Sequence, residues 1–126
     1  MNAGTLYLGA GFALVLTGLA CALLRRNLLR MVLGFSIVDT GVHLIIASVG
    51  SLAGRTAPII DDPALLSDAT TLAVDATAVV DPVPQALVLT AIVIGVGVTA
   101  LMLTYIVRLH DRAGTLDVRE LRELKW

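Results

Sequence analysis

Charged residues are scarce: they make up 15% of the 126 residues, whereas soluble domains carry about 25%. The shortage is concentrated in three apolar runs, at residues 3–24, 31–50 and 85–107. Inside these runs the ionisable side chains are three weak acids and one acid–imidazole pair: Tyr7, Cys21, Tyr105, Asp39 and His43. Each run reaches the ~20 residues that cross ~30 Å of hydrocarbon as a helix. The lack of charge therefore excludes a soluble domain and predicts an all-α membrane protein with three transmembrane helices.

Cysteine is also scarce, and Cys21 alone cannot form an internal disulfide. The sequence has no C-x-x-C pair, no zinc-ligand spacing and no interleaved aromatic and basic residues for nucleic acid. Gly9 and Gly11 lie inside an apolar run with no preceding strand, so "LGAGFA" is not a dinucleotide-binding motif. We therefore expect no cofactor, no metal site, no nucleic-acid partner and no independent catalysis.

Basic residues are almost absent from the long connection 51–84, which has Arg55 and five aspartates. The other eight basic residues flank the runs on the opposite side: Arg25, Arg26, Arg30, Arg108, Arg112, Arg119, Arg122 and Lys125. Basic residues next to spans mark the cytoplasmic side of a membrane. The asymmetry predicts that the N-terminus and the segment 51–84 lie outside and that the C-terminus is cytoplasmic.

The second run carries a polar stripe near its middle. Its members recur at spacings of three and four, which places them on one face of a helix: Ser36, Asp39, Thr40 and His43. An isolated aspartate at this depth costs at least ~2.5 kcal/mol and usually faces a protein interior or a hydrated path. A carboxylate and an imidazole one turn apart are suited to relaying protons. The alternative is that the pair only holds this helix against a neighbour.

Small residues predict close packing. Ala13, Thr17 and Cys21 recur every four residues in the first run, and Ala91, Gly95 and Thr99 do so in the third. Three helices can hardly enclose a charged path by themselves. The chain is therefore expected to be one subunit of a larger membrane assembly.

The connection 51–84 contains four prolines and shows no helical period. We expect an irregular loop that lies on a partner subunit, and the alternative is a short extended piece within "TTLAVDATAVV". The motif "DPVPQAL" is typical of a helix start, with Asp81 at or near the N-cap, Pro82 and Pro84 in the first turn, and Gln85 following.

The last residues, "GTLDVRELRELKW", favour a short amphipathic helix because Val118, Leu121 and Leu124 recur on one side. This helix would either be anchored at the headgroups by Trp126 or dock on a cytoplasmic neighbour. We therefore divide the chain into a membrane domain, 1–110, and a cytoplasmic tail, 111–126.

Two segments resemble a known family. "RRNLLRMVLGFSI" resembles the junction between the first two spans of NuoK (4L-type) subunits of complex I. "DPVPQALVLTAIVIGVGVTALML", residues 81–103, is similar to the MrpC and MnhC proteins of Mrp-type multisubunit cation/proton antiporters. It is equally similar to the homologous small subunit of membrane-bound hydrogenases. The resemblance covers nearly the whole chain and implies the same three-helix topology.

The resemblance implies a subunit in a prokaryotic cell membrane, packed beside A- or D-type antiporter-like subunits and a J-like subunit. It also implies a hydrated axis that carries H⁺ and, in antiporters, Na⁺. In NuoK-like subunits, glutamates of spans two and three belong to that axis. The first of these positions falls on Ser36, one turn before Asp39, and the third span has no acid. The chain would therefore borrow partner residues, with Gln85, Thr90 and Thr99 as the polar side chains of its own third span.

Three hypotheses follow. The chain is an ion-translocating subunit with Asp39 and His43 on the path, or it is a structural subunit of the same kind of complex. A rotor-ring subunit of an ATP synthase also has a carboxylate in the middle of its second span. The third span, the long outer connection and the DPVPQAL motif argue against that last hypothesis.

Overall fold

Three long helices make up most of the described part of the chain. The computed structural model describes residues 2–51, 55, 57, 66–68, 73–74 and 79–121. Its elements are α1 (Ala3–Leu24), α2 (Leu28–Gly50), β1 (Leu66–Asp68), β2 (Ala73–Val74) and α3 (Pro82–Ala113). All three helices are long and apolar enough to cross a membrane, which confirms the predicted three-helix fold.

Capping residues mark the starts of α2 and α3 and the end of α3. The Asn27 side chain accepts a hydrogen bond from the backbone N–H of Leu29 (3.0 Å) at the start of α2. The Asp81 carboxylate accepts one from the N–H of Val83 (2.9 Å) at the start of α3, with prolines in the first turn. Helix α3 ends at Ala113 and is capped by Gly114, whose φ of 69° is the left-handed conformation that glycine adopts readily. Because this stop lies beyond the apolar run, α3 extends past residue 107.

Helices α1 and α2 pack through glycines spaced seven residues apart. Gly11 lies against Gly41, and Gly18 lies against Gly34. A Cβ added to Gly18 would stand 2.7 Å from the Gly34 carbonyl oxygen, and one added to Gly34 would stand 2.7 Å from the Ala22 nitrogen. The two backbones are therefore in direct contact. A seven-residue repeat keeps such residues in line along two crossing helices.

Ala13 and Thr17, on the small-residue face predicted for the first span, do not form the contact with α2, so packing of this face on a partner subunit stays a prediction. Ala13 and Thr17 are exposed, and the Thr17 hydroxyl donates to the carbonyl of Ala13 within its own helix (2.7 Å). Cys21 is half-buried, and its thiol donates to the carbonyl of Arg30 (3.6 Å). The closest contacts with α2 are made at Gly11 and Gly18, because small residues let two helix backbones approach each other.

Helix α3 packs on the other side of α2. Its half-buried residues include Ala91, Gly95 and Thr99, which confirms the packing face predicted for the third span. Near the end of α2, a Cβ on Gly50 would meet Pro84 at 2.7 Å. Helix α2 thus lies between α1 and α3 and presents a different face to each.

The described part of the tail is clamped to the α1–α2 loop and is not helical. The N–H of Leu28 donates to the carbonyl of Leu116 (3.0 Å), and the N–H of Val118 donates to the carbonyl of Arg26 (3.0 Å). Within the tail, the Asp117 carboxylate accepts the N–H of Arg119 (3.0 Å), and such side-chain bonds compete with helix formation. The predicted amphipathic helix is therefore wrong for residues 114–121, and its remainder, 122–126, lies outside the described residues.

The connection 51–84 falls largely outside the described residues, so its predicted contact with a partner stays a prediction. The described pieces β1 and β2 form an antiparallel pair, with Leu66 opposite Val74 and Asp68 opposite Ala73. The short extended piece considered from the sequence is therefore present at β2, which lies within residues 70–80.

The helices bury little within the chain. Ile106, at 8% exposure, is the buried large hydrophobic residue among those described, and large side chains on α3 such as Leu89 and Val93 remain about two-thirds exposed. Soluble monomeric proteins rarely expose apolar surface on this scale. These faces are suited to lipid and to neighbouring subunits.

Candidate functional site

A groove of about 570 Å³ runs between α2 and α3 near the middle of both helices. One wall carries the four polar residues predicted from the stripe in the second span: Ser36, Asp39, Thr40 and His43. The opposite wall is mostly apolar and is formed by α3: Ile92, Gly95, Val96, Thr99, Ala100 and Leu103. The helical spacing of α2 brings the polar residues together, because positions three and four apart share one face.

Asp39 and His43 form a close pair within the groove. The distance from Asp39 Oδ1 to His43 Nε2 is 3.6 Å, across one helical turn. This distance is longer than a direct hydrogen bond. The contact is an ion pair only when the imidazole is protonated. The His43 side chain is 13% exposed and that of Asp39 is 38% exposed. The carboxylate therefore faces the groove while the imidazole is largely covered.

The Asp39 carboxylate packs directly on the backbone of α3 at Gly95. A Cβ added to Gly95 would stand 2.6 Å from Asp39 Oδ2. Glycine inside a helix costs roughly 0.5–1 kcal/mol relative to alanine. At this position it makes room for the carboxylate between the two helices.

The hydroxyl groups in the groove differ in their partners. Thr40 donates to the carbonyl of Ser36 (3.0 Å), so its hydrogen is used within α2 while its oxygen can still accept. Thr99 faces the groove from α3. Thr90 does not line the groove, and its hydroxyl donates to the carbonyl of Ala86 (3.2 Å). Gln85 lines a separate cavity of about 240 Å³ with Tyr7, Leu44, Ala47, Ser48 and Ser51.

The groove places a carboxylate, an imidazole and hydroxyl groups on one wall. The described residues contain no group of three or more His, Cys, Asp or Glu side chains that could hold a metal ion. The space is far larger than the about 30 Å³ of one water molecule, and its polar wall offers a carboxylate, an imidazole and hydroxyls. Such a wall can hold water and exchange protons with it.

Sequence reasoning missed the place of Gly95 in the site, since it assigned Gly95 to helix packing alone. The available signal was depth: Gly95 and Asp39 each lie near the middle of an apolar run. Two residues at the same depth on antiparallel neighbouring helices can meet, but the rotation of each helix decides whether they do.

Comparison with known proteins identifies the family. The family model for NADH-ubiquinone/plastoquinone oxidoreductase chain 4L matches residues 6–126. The chain is similar to the C-type subunit of the Na⁺/H⁺ antiporter of Bacillus subtilis, with 36% identity over 100 residues, which cover 79% of this chain and 78% of the relative.

Two solved structures share the fold. A chain of the membrane-bound sulfane sulfur reductase, an archaeal respiratory membrane complex, is 40% identical with a TM-score of 0.78, over 98% of this chain and all of that chain. A chain of the Mrp complex from Dietzia is 29% identical with a TM-score of 0.60, over 84% of this chain and 70% of that chain. The resemblance drawn from the sequence motifs is thereby confirmed. This multi-pass membrane protein belongs to the NADH-ubiquinone/plastoquinone oxidoreductase chain 4L family, the NuoK or 4L family.

Proposed function

We propose that Asp39 and His43 contribute to the hydrated ion path of a multisubunit monovalent cation (Na⁺)/proton antiporter or of a related complex I-like or hydrogenase-like complex. The chain is a small membrane subunit of such an ion-translocating complex, as its relatives and structural neighbours are. The observation that carries the proposal is the groove, in which a partly exposed carboxylate and a covered imidazole lie together near the middle of a helix long enough to cross a membrane.

The α3 wall of the groove supplies few polar groups. It offers one hydroxyl, that of Thr99, and no ionisable side chain. A continuous path therefore needs polar groups from another subunit. We propose that A- or D-type antiporter-like subunits and a J-like subunit supply them, in the cell membrane of a prokaryote.

A structural role for Asp39 is the second candidate function, and the contact with Gly95 favours it. A carboxylate that packs on a helix backbone can hold α2 against α3 without moving ions. The two roles differ in whether Asp39 must titrate. Transport by a complex carrying Asp39→Asn tests this, and we expect transport to be lost while assembly is unchanged.

The contact at Gly95 gives a second test. Gly95→Ala should push the Asp39 carboxylate away from α3, since the new Cβ would lie 2.6 Å from Oδ2. The end of a side chain moves more easily than a backbone, and alanine adds helix propensity, so the net change in stability should stay within about 1 kcal/mol. We expect normal assembly with reduced transport, measured in vesicles with a pH-sensitive dye. Gly97→Ala is the matched control, because a Cβ there meets nothing within 4 Å.

We also propose that the segment 51–84 lies outside and that the C-terminus is cytoplasmic, on the basis of the basic-residue asymmetry. In a Cys21→Ser background, an impermeant thiol reagent added outside should label Ser67→Cys and should not label Ala113→Cys. The reverse labelling pattern would contradict this orientation.

A further inference from the structure

A second polar cavity, of about 410 Å³, lies at the α1–α2 loop, away from the α2–α3 groove. It is lined by the loop arginines and their neighbours: Leu24, Arg25, Arg26, Asn27, Arg30 and Asp117. Three positive charges thus face one negative charge around a single concave space. A basic cavity of this kind is suited to an anion.

The three guanidinium groups have no carboxylate partner within 4 Å among the described residues. Asp117 lines the cavity and its Oδ1 accepts the N–H of Arg119 (3.0 Å), but its carboxylate forms no ion pair with any of the three guanidinium groups. The guanidinium groups therefore keep their N–H donors, five on each, available for a ligand.

The loop that carries the arginines is held in place. Its backbone at Arg26 and Leu28 is hydrogen-bonded to the tail at Val118 and Leu116 (both 3.0 Å), and Asn27 caps α2. A ligand therefore would not have to order this segment, which lowers the entropic cost of binding.

The position of the cavity along the membrane normal indicates the source of the anion. Helix α1 ends at Leu24 and α2 begins at Leu28, so the cavity lies where two membrane-crossing helices meet the lipid headgroups. Arginine forks match the geometry of phosphate oxygens, and basic pockets at this level bind anionic lipids. We propose that this cavity binds the phosphodiester of an anionic phospholipid headgroup, as a lipid site between the α1–α2 loop and the tail.

Native mass spectrometry of the delipidated, intact complex tests the site by titration with phosphatidylglycerol. Arg30→Gln should weaken binding at one lipid site about fivefold, the effect expected from removing one basic charge near the surface. It leaves two loop arginines to maintain topology. Arg30→Lys should recover part of the loss, because lysine keeps the charge but lacks the fork. Arg108→Gln, on an exposed arginine of α3 outside the cavity, is the matched control and should bind as the unaltered complex does.

Two further arms distinguish the source of the phosphate. Retention of phosphatidylglycerol in excess inorganic phosphate, with weak retention of phosphatidylcholine, would support a lipid site. Displacement by inorganic phosphate, equal retention of phosphatidylcholine, or equal behaviour of Arg30→Gln and Arg108→Gln would overturn the proposal. Because this readout is lipid binding, it is independent of the outcome for Asp39.

Discussion

Asp39→Asn in the assembled complex should abolish transport or reduce it at least tenfold. An amide keeps the size and hydrogen-bonding reach of the carboxylate, but it cannot accept and release a proton. The Asn side chain should still fit beside Gly95, where a Cβ would meet Asp39 Oδ2 at 2.6 Å, so helix packing should be preserved. The measurement is ion-dependent proton movement in vesicles, normalised to the amount of complex purified through another subunit.

The relative activities of the Asp39 variants distinguish a role in transport from a role in packing. For a residue on the ion path, Asp39→Glu should retain much of the activity, because the carboxylate survives and the groove of about 570 Å³ has room for a longer side chain. For a packing residue, Asn should be tolerated best and Glu worst, since the extra methylene would strain the contact with α3. Unaltered transport by Asp39→Asn would reject the relay hypothesis.

His43→Gln should have a milder effect than Asp39→Asn. The imidazole is largely covered and lies 3.6 Å from the carboxylate, so it can pass protons to Asp39 but does not face the groove as openly. Water in the groove can replace part of this role. We expect partial activity with an altered pH profile, because the glutamine amide cannot accept and release a proton as the imidazole can. An unchanged pH profile would remove His43 from the path.

Gly18→Ala combined with Gly34→Ala should prevent α1 and α2 from packing and should strongly reduce assembly. Each added Cβ would come within 2.7 Å of backbone atoms on the facing helix, and a backbone cannot rotate away as a side chain can. Overpacking of this kind costs about 1–3 kcal/mol per site, and here it acts twice along one interface. The measurements are the yield and the thermal stability of the purified complex.

The matched control for this double variant is Gly9→Ala combined with Gly97→Ala. A Cβ at either position meets nothing within 4 Å. Alanine favours helix by roughly 0.5–1 kcal/mol over glycine, so stability should be unchanged or slightly increased. A loss of assembly in the control equal to that in the double variant would show that glycine content, rather than backbone contact, matters.

The sequence by itself determined the features that depend on one helix at a time. Three apolar runs predicted three spans because bilayer thickness sets helix length. The periodicity of α2 placed Asp39 and His43 on one face, and Asp81 with its prolines indicated the start of α3. Each of these inferences needs only a local rule about spacing, capping or length.

The tertiary structure decided which faces meet. Helix α1 carries small residues on more than one face, at Ala13 and Thr17 as well as at Gly11 and Gly18, so its sequence alone does not specify which face contacts α2. The choice depends on the glycines of α2, since backbone contact requires a small residue on both helices at the same level. The contact of Asp39 with Gly95 likewise depends on the rotation of α3, which no local pattern specifies.

The tail also differs between what its sequence pattern predicts and what the tertiary structure decides. Its apolar spacing favoured a helix, but the backbone groups of residues 116–118 bond to the α1–α2 loop instead. That competition is decided by the distant residues Arg26 and Leu28, which the fold brings beside the tail. The sequence therefore determined the spans and their polar stripe, whereas only the packing of α1, α2, α3 and the tail decided the helix interfaces, the groove and the basic cavity, because each of these is formed by residues far apart in the chain.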